Sequence, residues 1–156
     1  MTLDTNTLYF HLSAGLRRYV LMLGMNVIPI SSLRVVLLRL CGVRIGTGCY
    51  VGFNLAVDTN FPSLITICDN VTISHNCTII THTISPAASL LSSYYHQVKP
   101  VRIDGGAWVG MNTTILPGAI IETDCFIGAG SVVSGQMPSR HLCAGNPCAP
   151  VKQLSL

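Results

Sequence analysis

From Ile103 onward an aliphatic residue returns at every sixth position: Ile103, Val109, Ile115, Ile121, Ile127 and Val133. The same step links Ile45, Val51 and Val57, and again Ile67, Ile73 and Ile79. The residue that follows is often small or acidic, as at Asp104, Gly110, Glu122, Gly128 and Ser134. An amphipathic helix returns its apolar face every roughly three to four residues, and hairpin sheets need turn clusters every roughly eight to twelve. A period of six suits neither. It predicts a prism whose sides are short strands and whose corners are turns, with the aliphatic residue pointing inward. Stacked coils pair each strand with its equivalents above and below, and the inward residues become a continuous column.

Two interruptions break the step. Between Val57 and Ile67 the spacing is ten residues, so Asp58-Thr-Asn-Phe-Pro-Ser-Leu64 is expected to form a bulge or small corner loop. Between Ile79 and Ile103 it is twenty-four, and Thr81 to Pro100 carries little repeat character. An excursion that leaves a rigid scaffold and rejoins it in step is where a binding site is expected. The first forty residues lack the period. Leu8 to Gly24 and Ser32 to Cys41 read as helices, the second capped by Ser31 or Ser32 and closed by Gly42. Arg17, Arg18, Arg34 and Arg39 punctuate their otherwise apolar surfaces, which fit a helical cap over the open end of the prism or a basic amphipathic contact with a membrane.

Composition narrows the functional classes. Charged residues are 10% of the chain against about 25% in ordinary soluble domains, and apolar residues are 49%. So little charge points to self-association or a membrane neighbour. The net charge of +3 comes without a dense Lys/Arg cluster, which leaves nucleic-acid binding unsupported. The uncharged stretch Tyr19 to Leu33 is broken by Gly24, Asn26 and Pro29 and is too short to span a bilayer. No secretory signal is expected, because the basic-apolar-small order is missing. The seven cysteines form no C-x-x-C pair and occupy positions where a small apolar residue would serve, so buried reduced thiols and a cytoplasmic protein are expected.

The segment Ile103-Asp-Gly-Gly-Ala-Trp-Val-Gly-Met-Asn-Thr-Thr-Ile-Leu-Pro-Gly-Ala-Ile-Ile121 resembles the hexapeptide-repeat acyltransferases. So do Phe126-Ile-Gly-Ala-Gly-Ser-Val-Val133 and Ala144-Gly-Asn-Pro-Cys-Ala-Pro-Val151. The likeness runs from about Val43 to Lys152 and is nearest the maltose, galactoside and nodulation-factor O-acetyltransferases and those of capsule and exopolysaccharide clusters. It implies a single-stranded left-handed parallel β-helix, an exception to right-handed crossovers, with residues 1–42 as helical cap, 43–138 as β-helix with a loop at 82–100, and 139–156 as C-terminal tail. It implies a homotrimer with sites between neighbouring prisms, acetyl-CoA as co-substrate, no metal, and a sugar or lipid-linked glycan as acceptor. A cytoplasmic enzyme is implied, at the inner face of the membrane if its N-terminal helices touch lipid.

Residue by residue, the resemblance makes His82, at the start of the protruding loop, the general base, and Asn54 the residue that positions the acceptor. Trp108 matches the tryptophan of the coenzyme pocket, with Gly110 counted beside it, Met111, Ala129 and Ser134 follow the pantetheine arm, and Lys152 meets the phosphates. Ala149 stands where some members carry arginine, and Thr83-Ile-Ser-Pro86 replaces a second histidine. Transfer from a thioester to an alcohol needs a base, an oxyanion donor and alignment of both substrates. Histidine suits the first because its ordinary pKa lies at about 6.5, and glycine-rich corners such as Gly110 are expected to offer amides for the second. Among the five histidines, His82 stands where the scaffold ends, His75 sits on a coil corner, and His96 lies in the loop beside Tyr94, where both are candidates for acceptor contact. His11 and His141 have no supporting context. The cysteines lack an electropositive setting, so direct transfer is expected rather than an acyl-enzyme. Serine, antibiotic and amino-sugar acetyltransferases are the rival enzymes, and a non-catalytic prism or a metal-dependent one, which needs three converging histidines, the rival classes.

Overall fold

The computed structural model describes residues 15, 16, 19, 22–83 and 97–155. Within them the chain winds as a three-sided parallel β-helix. The first face stacks Arg44–Ile45, Ile65–Ile67, Val101–Ile103, Ile120–Ile121 and Gln136–Met137. The second stacks Tyr50–Val51, Thr72–Ile73, Trp108–Val109, Phe126–Ile127 and His141–Ala144, and the third Ala56–Val57, Thr78–Ile79, Thr114–Ile115 and Val132–Val133. Successive strands visit the faces in turn, and every pair between these coils is parallel.

All twelve aliphatic residues of the six-residue series are buried, from Ile45 to Val133. Each such side chain contributes about 1.5–3 kcal/mol by leaving water. Two residues before most of these stands a second inward residue, usually a smaller one, and these line the inside of the corners: Leu55, Val71, Cys77, Ala107, Thr113, Cys125 and Ser131 are buried there. Where that residue is polar its hydroxyl finds a carbonyl: Thr113 Oγ1 donates to Gly110 O at 2.8 Å and Ser131 Oγ to Gly128 O at 2.6 Å. The corner itself needs a left-handed residue, supplied by Asn54, Asn76, Asn112 and Gly130 along one edge, at φ from 56° to 72°. Asparagine and glycine tolerate that region where other residues are strained.

The prism runs beyond the expected boundary at 138. His141–Ala144 adds a parallel rung beside Phe126–Ile127, and Ala149–Gln153 folds back antiparallel on it.

At the other end the helix Ser31–Cys41 packs on the first coil. Gly42 closes it in the left-handed conformation (φ 101°), as expected, its amide donating to Arg39 O. The expected serine cap is absent: Ile30 is the N-cap, and Ser31 Oγ instead accepts from the Val51 amide at 2.9 Å. The preceding segment is helical through residue 27, past the expected end at Gly24. Residues 8–14, the start of the first expected helix, lie outside the described residues.

Arg34 is not the surface residue its sequence suggested; it is 1% exposed. The reason lies in the direction of the ladder. Amides of each coil donate to carbonyls of the next, as Gly52 N does to Ile73 O, so the carbonyls of the first coil have no preceding coil to fill them. Arg34 donates through Nε (2.9 Å) and Nη2 (2.7 Å) to Val51 O and through Nη1 to Ile28 O, with its guanidinium 4.3 Å from the Phe53 ring centre. Arg39 does the same for Ile45 O and Gly46 O. The cap thus substitutes arginine side chains for a missing rung. Replacing Arg34 with Met is expected to lower stability by about 3 kcal/mol, because buried carbonyls lose charged donors; urea unfolding of the two proteins measures it.

Candidate active site

Both interruptions of the period leave the prism at the same edge, between the third and first faces, on consecutive coils. The first begins at Asp58, whose amide donates to Ile79 O, and the second begins one rung further on. His82–Thr83 leaves as one strand of an antiparallel ribbon and returns as Gln97–Val98, with the Lys99 amide on Thr81 O. This stacking puts Asp58 under His82.

The carboxylate of Asp58 is fully engaged. Its Oδ2 accepts from Thr81 Oγ1 at 2.6 Å, from the Thr81 amide at 3.1 Å and from His82 Nδ1, while Oδ1 accepts from the Asn60 amide at 2.9 Å. The residue is 6% exposed and Thr81 is buried. Burial pushes the Asp58 pKa up, but the hydrogen bonds from Thr81, His82 and the Asn60 and Thr81 amides outweigh it and bring it down to about 2. An ionised carboxylate only accepts, so His82 Nδ1 carries the proton and, in the neutral ring, Nε2 presents its lone pair. The Asn60 side-chain Nδ2 stands 3.4 Å from Nε2, and Phe61 meets the ring edge-on at 5.4 Å. A pocket of about 240 Å³ opens here, lined by Asp58, Thr59, Asn60, Thr78 and His82. The arrangement is that of an oriented base: a fixed tautomer, a buried anion behind it and a cleft in front.

The other sequence candidates fall elsewhere. Asn54 sits on the edge between the second and third faces, where it donates to Asn76 Oδ1 at 3.0 Å as part of the corner ladder. Within one chain the asparagine beside His82 is Asn60. His75 shares the edge of Asn54; its Nδ1 accepts from the Phe53 amide at 3.1 Å and its ring stacks on Phe53. Trp108 is 53% exposed on the second face, its Nε1 donating to Ser74 Oγ at 3.3 Å and its ring 5.0 Å from Phe126. Gly110, Met111 and Ala129 follow on the adjoining edge. Met111 and Ala129 are exposed there, but the Gly110 amide is spent on Ile127 O at 2.8 Å, so the expected oxyanion donor is not available at that residue. The Gly110 position also admits no Cβ, since one would lie 2.6 Å from Ala129 N. Ser134 is exposed on the His82 edge two coils further along. Lys152, exposed in the last strand, stands in the outward column Tyr50, Thr72, Trp108, Phe126, Leu142, Lys152 set by strand register. In a three-sided prism the second face lies across from the edge that carries His82, so one chain does not bring His82 and Trp108 together. Tyr94, His96 and His11 lie outside the described residues.

None of the seven cysteines forms a disulfide. Burial pushes Cys77, Cys125, Cys143 and Cys148 up in pKa, which keeps them protonated and unreactive. Among the described residues no group of three His, Cys, Asp or Glu side chains converges as a metal site would require. A larger cavity of about 620 Å³ lies near the C-terminal end, lined by charged residues including Arg102, Glu122 and Arg140, and contains neither His82 nor Asp58.

From the sequence, Asp58 is only the start of a corner loop. Its signal was its position directly after the last inward residue of one coil, at the edge from which the long loop leaves on the next.

Residues 100–135 match the family model described as bacterial transferase hexapeptide (six repeats). Over 117 residues the chain is 33% identical to a galactoside O-acetyltransferase of Lactococcus lactis, covering 72% of this chain and 54% of that one. The chain spans about half the length of the curated galactoside O-acetyltransferases it matches. Among solved structures, a maltose O-acetyltransferase from Clostridium difficile superposes with TM-score 0.63 at 27% identity over 89% of this chain and 85% of that one. A hexapeptide-repeat acetyltransferase from Vibrio cholerae complexed with acetyl coenzyme A gives TM-score 0.66 at 20% identity over 97% and 91%, a likeness of fold. The parallel sheets and these neighbours fit a left-handed β-helix.

The lowered Asp58 pKa has a definite sign in stability. A carboxylate whose pKa falls on folding contributes most above its unfolded value near 4 and loses that contribution as pH falls through about 2. At pH 7 the contribution is about 2 kcal/mol. Denaturant unfolding is therefore expected to show Asp58→Asn less stable by about that amount at pH 7, with the gap closing between pH 4 and pH 2.

Proposed function

We propose that this chain, which is similar to the hexapeptide-repeat transferases, moves an acetyl group from acetyl-CoA to a hydroxyl of a sugar or glycan precursor, with His82 as general base. The observation that carries this reading is the buried Asp58 held against His82 Nδ1 beside an open cleft. The acceptor hydroxyl donates to His82 Nε2, and its proton passes to that nitrogen as the oxygen attacks the thioester carbonyl. Asp58 holds the ring in the required tautomer and stabilises the imidazolium that forms. Nε2 then returns the proton to the departing thiolate, so the ring ends as it began. Acetyl-CoA supplies the activated acyl group; the chain binds, aligns and moves one proton.

The exposed column on the second face supports the coenzyme assignment. Trp108 and Met111 offer an apolar, partly aromatic wall for the pantetheine arm, Ala129 leaves room beside it, and Lys152, which has no ion pair among the described residues, is available to phosphate. Because this wall and His82 lie on opposite sides of one prism, the complete site needs a neighbouring copy, with His82 of one chain facing Trp108 of the next. That contact is heterologous, and a homotrimer closes it into a ring. On this reading Asn54, too, serves the acceptor from the neighbouring chain, while Asn60 serves it from the same chain as His82. Tyr94 and His96 remain the further candidates for acceptor contact. The galactoside and maltose acceptors named for the relatives support a sugar, and the capsule or polysaccharide precursor is the finer proposal. No helix among the described residues is long and apolar enough to cross a membrane.

Acetyl-CoA turnover with a panel of sugars, amino sugars and serine tests the acceptor class. On a genuine acceptor His82→Ala is expected to lower kcat by about 10²–10⁴; full activity in that variant sinks the assignment. Asp58→Asn, acting through the tautomer, is expected to lower kcat while leaving KM for acetyl-CoA near its original value. Trp108→Ala is expected to raise that KM. At acetyl-CoA far below the raised KM, refolding a His82→Ala chain together with a Trp108→Ala chain is expected to give more activity than the two chains give separately, since some mixed sites carry both native residues. No such gain would place the whole site within one chain.

A further inference from the structure

More than half of the exposed large apolar side chains among the described residues lie before residue 41, on the cap rather than on the prism. On the helix Ser31–Cys41 the inward positions are Arg34, Val35, Leu38 and Cys41. The outward positions Leu33, Val36 and Leu40 are equally apolar and 48%, 46% and 60% exposed. Leu23, Val27 and Ile30 of the preceding segment add to the same end of the molecule and are also exposed. That segment packs closely on the helix, with Leu37 Cδ1 3.2 Å from where a Cβ on Gly24 would be. A helix apolar on both sides is ordinarily covered on both.

Charge says what covers it. From Thr5 to Val57 the chain has no Asp or Glu, while Arg17, Arg18, Arg34, Arg39 and Arg44 fall in that stretch. Arg34 is consumed inside, but Arg39 and Arg44 are exposed. Their hydrogen bonds go to neutral carbonyls, and no carboxylate pairs with either among the described residues. An apolar face flanked by unneutralised arginine and devoid of acids repels a second identical face and complements an anionic one.

We propose that the outer face of the helical cap seats on an anionic lipid surface, with Leu33, Val36 and Leu40 in the acyl boundary and Arg39 and Arg44 at the headgroups. The inference stands without the catalytic reading. The two meet in one place: a cavity of about 290 Å³ is lined by Tyr19 and Met22 of the cap and by Thr59 and Asn60 of the corner loop that carries Asp58. Resting on the proposed function, a docked chain would have its acceptor groove beside the headgroups, within reach of an acceptor carried on a lipid.

The test is flotation of the full chain with vesicles of phosphatidylglycerol and phosphatidylcholine, against vesicles of phosphatidylcholine alone. The wild type is expected to partition at least about tenfold more strongly onto the anionic vesicles and to weaken as salt is raised. The triple variant Leu33→Gln, Val36→Gln, Leu40→Gln is expected to lose that partition at least about tenfold while keeping its melting temperature and its size in solution. A wild type that floats with neither vesicle, or a variant that floats as the wild type does, overturns the proposal. So does a drop in oligomeric size in the variant without lipid, which would assign the face to a second copy of the chain. If acetyl transfer fails on every acceptor while flotation behaves as expected, only the catalytic reading is lost.

Discussion

In-step stacking of the coils is the constraint on which the rest of this molecule depends. Each rung donates its amides to the carbonyls of the next and sets its inward aliphatic residue over the one below. Nothing can be added to such a ladder without slipping it out of register, unless the extra chain leaves and returns at a corner. Both extra segments here use the same corner on consecutive coils. That places Asp58 of the first under His82 of the second, with Thr81 and the Asn60 amide holding the carboxylate from either side. The open end of the ladder obeys the same rule: its unpaired carbonyls are met by Arg34 and Arg39 from the cap.

The candidate site draws its electrostatics from this scaffold rather than from its loop. Burial alone would favour a neutral Asp58, yet four hydrogen bonds keep it ionised and its pKa near 2. A fixed anion on Nδ1 leaves Nε2 as the acceptor, facing the cleft. The scaffold also separates what the proposed chemistry would join. Trp108 and Lys152 belong to the second face, across the prism from His82, so a site using both requires a neighbour. The scarcity of charge over the whole chain accords with surfaces that meet other surfaces, whether another prism at the second face or lipid at the cap.

Most of the scaffold was legible because its period is local. Every inward aliphatic residue could be read from spacing, since burial repeats every six residues and no distant contact is needed to specify it. Cysteines at 77 and 125 could be read as core residues on the same ground, and Gly42 as a helix end because a left-handed cap favours glycine. His82 was legible as the last residue in step before the long loop. Arg34 was misjudged as a surface residue, because its partners are carbonyls of a coil whose orientation a linear pattern does not contain. Asn54 and Gly110 were given site roles that local geometry qualifies: one closes a corner ladder, and the other has its amide committed to the next coil.

By itself, then, the order of residues determined the coil, the column inside it, the place where the coil breaks and the histidine at the break. Each follows from spacing along the chain. Which groups face one another across coils was decided only in three dimensions. Asp58 and His82 meet because the first insertion adds four residues to a coil and the second leaves from the rung stacked on it; that sum of lengths carries no local signature. The opposite placement of Trp108 is decided in the same way, because the face a residue occupies depends on how many corners the chain has turned before reaching it.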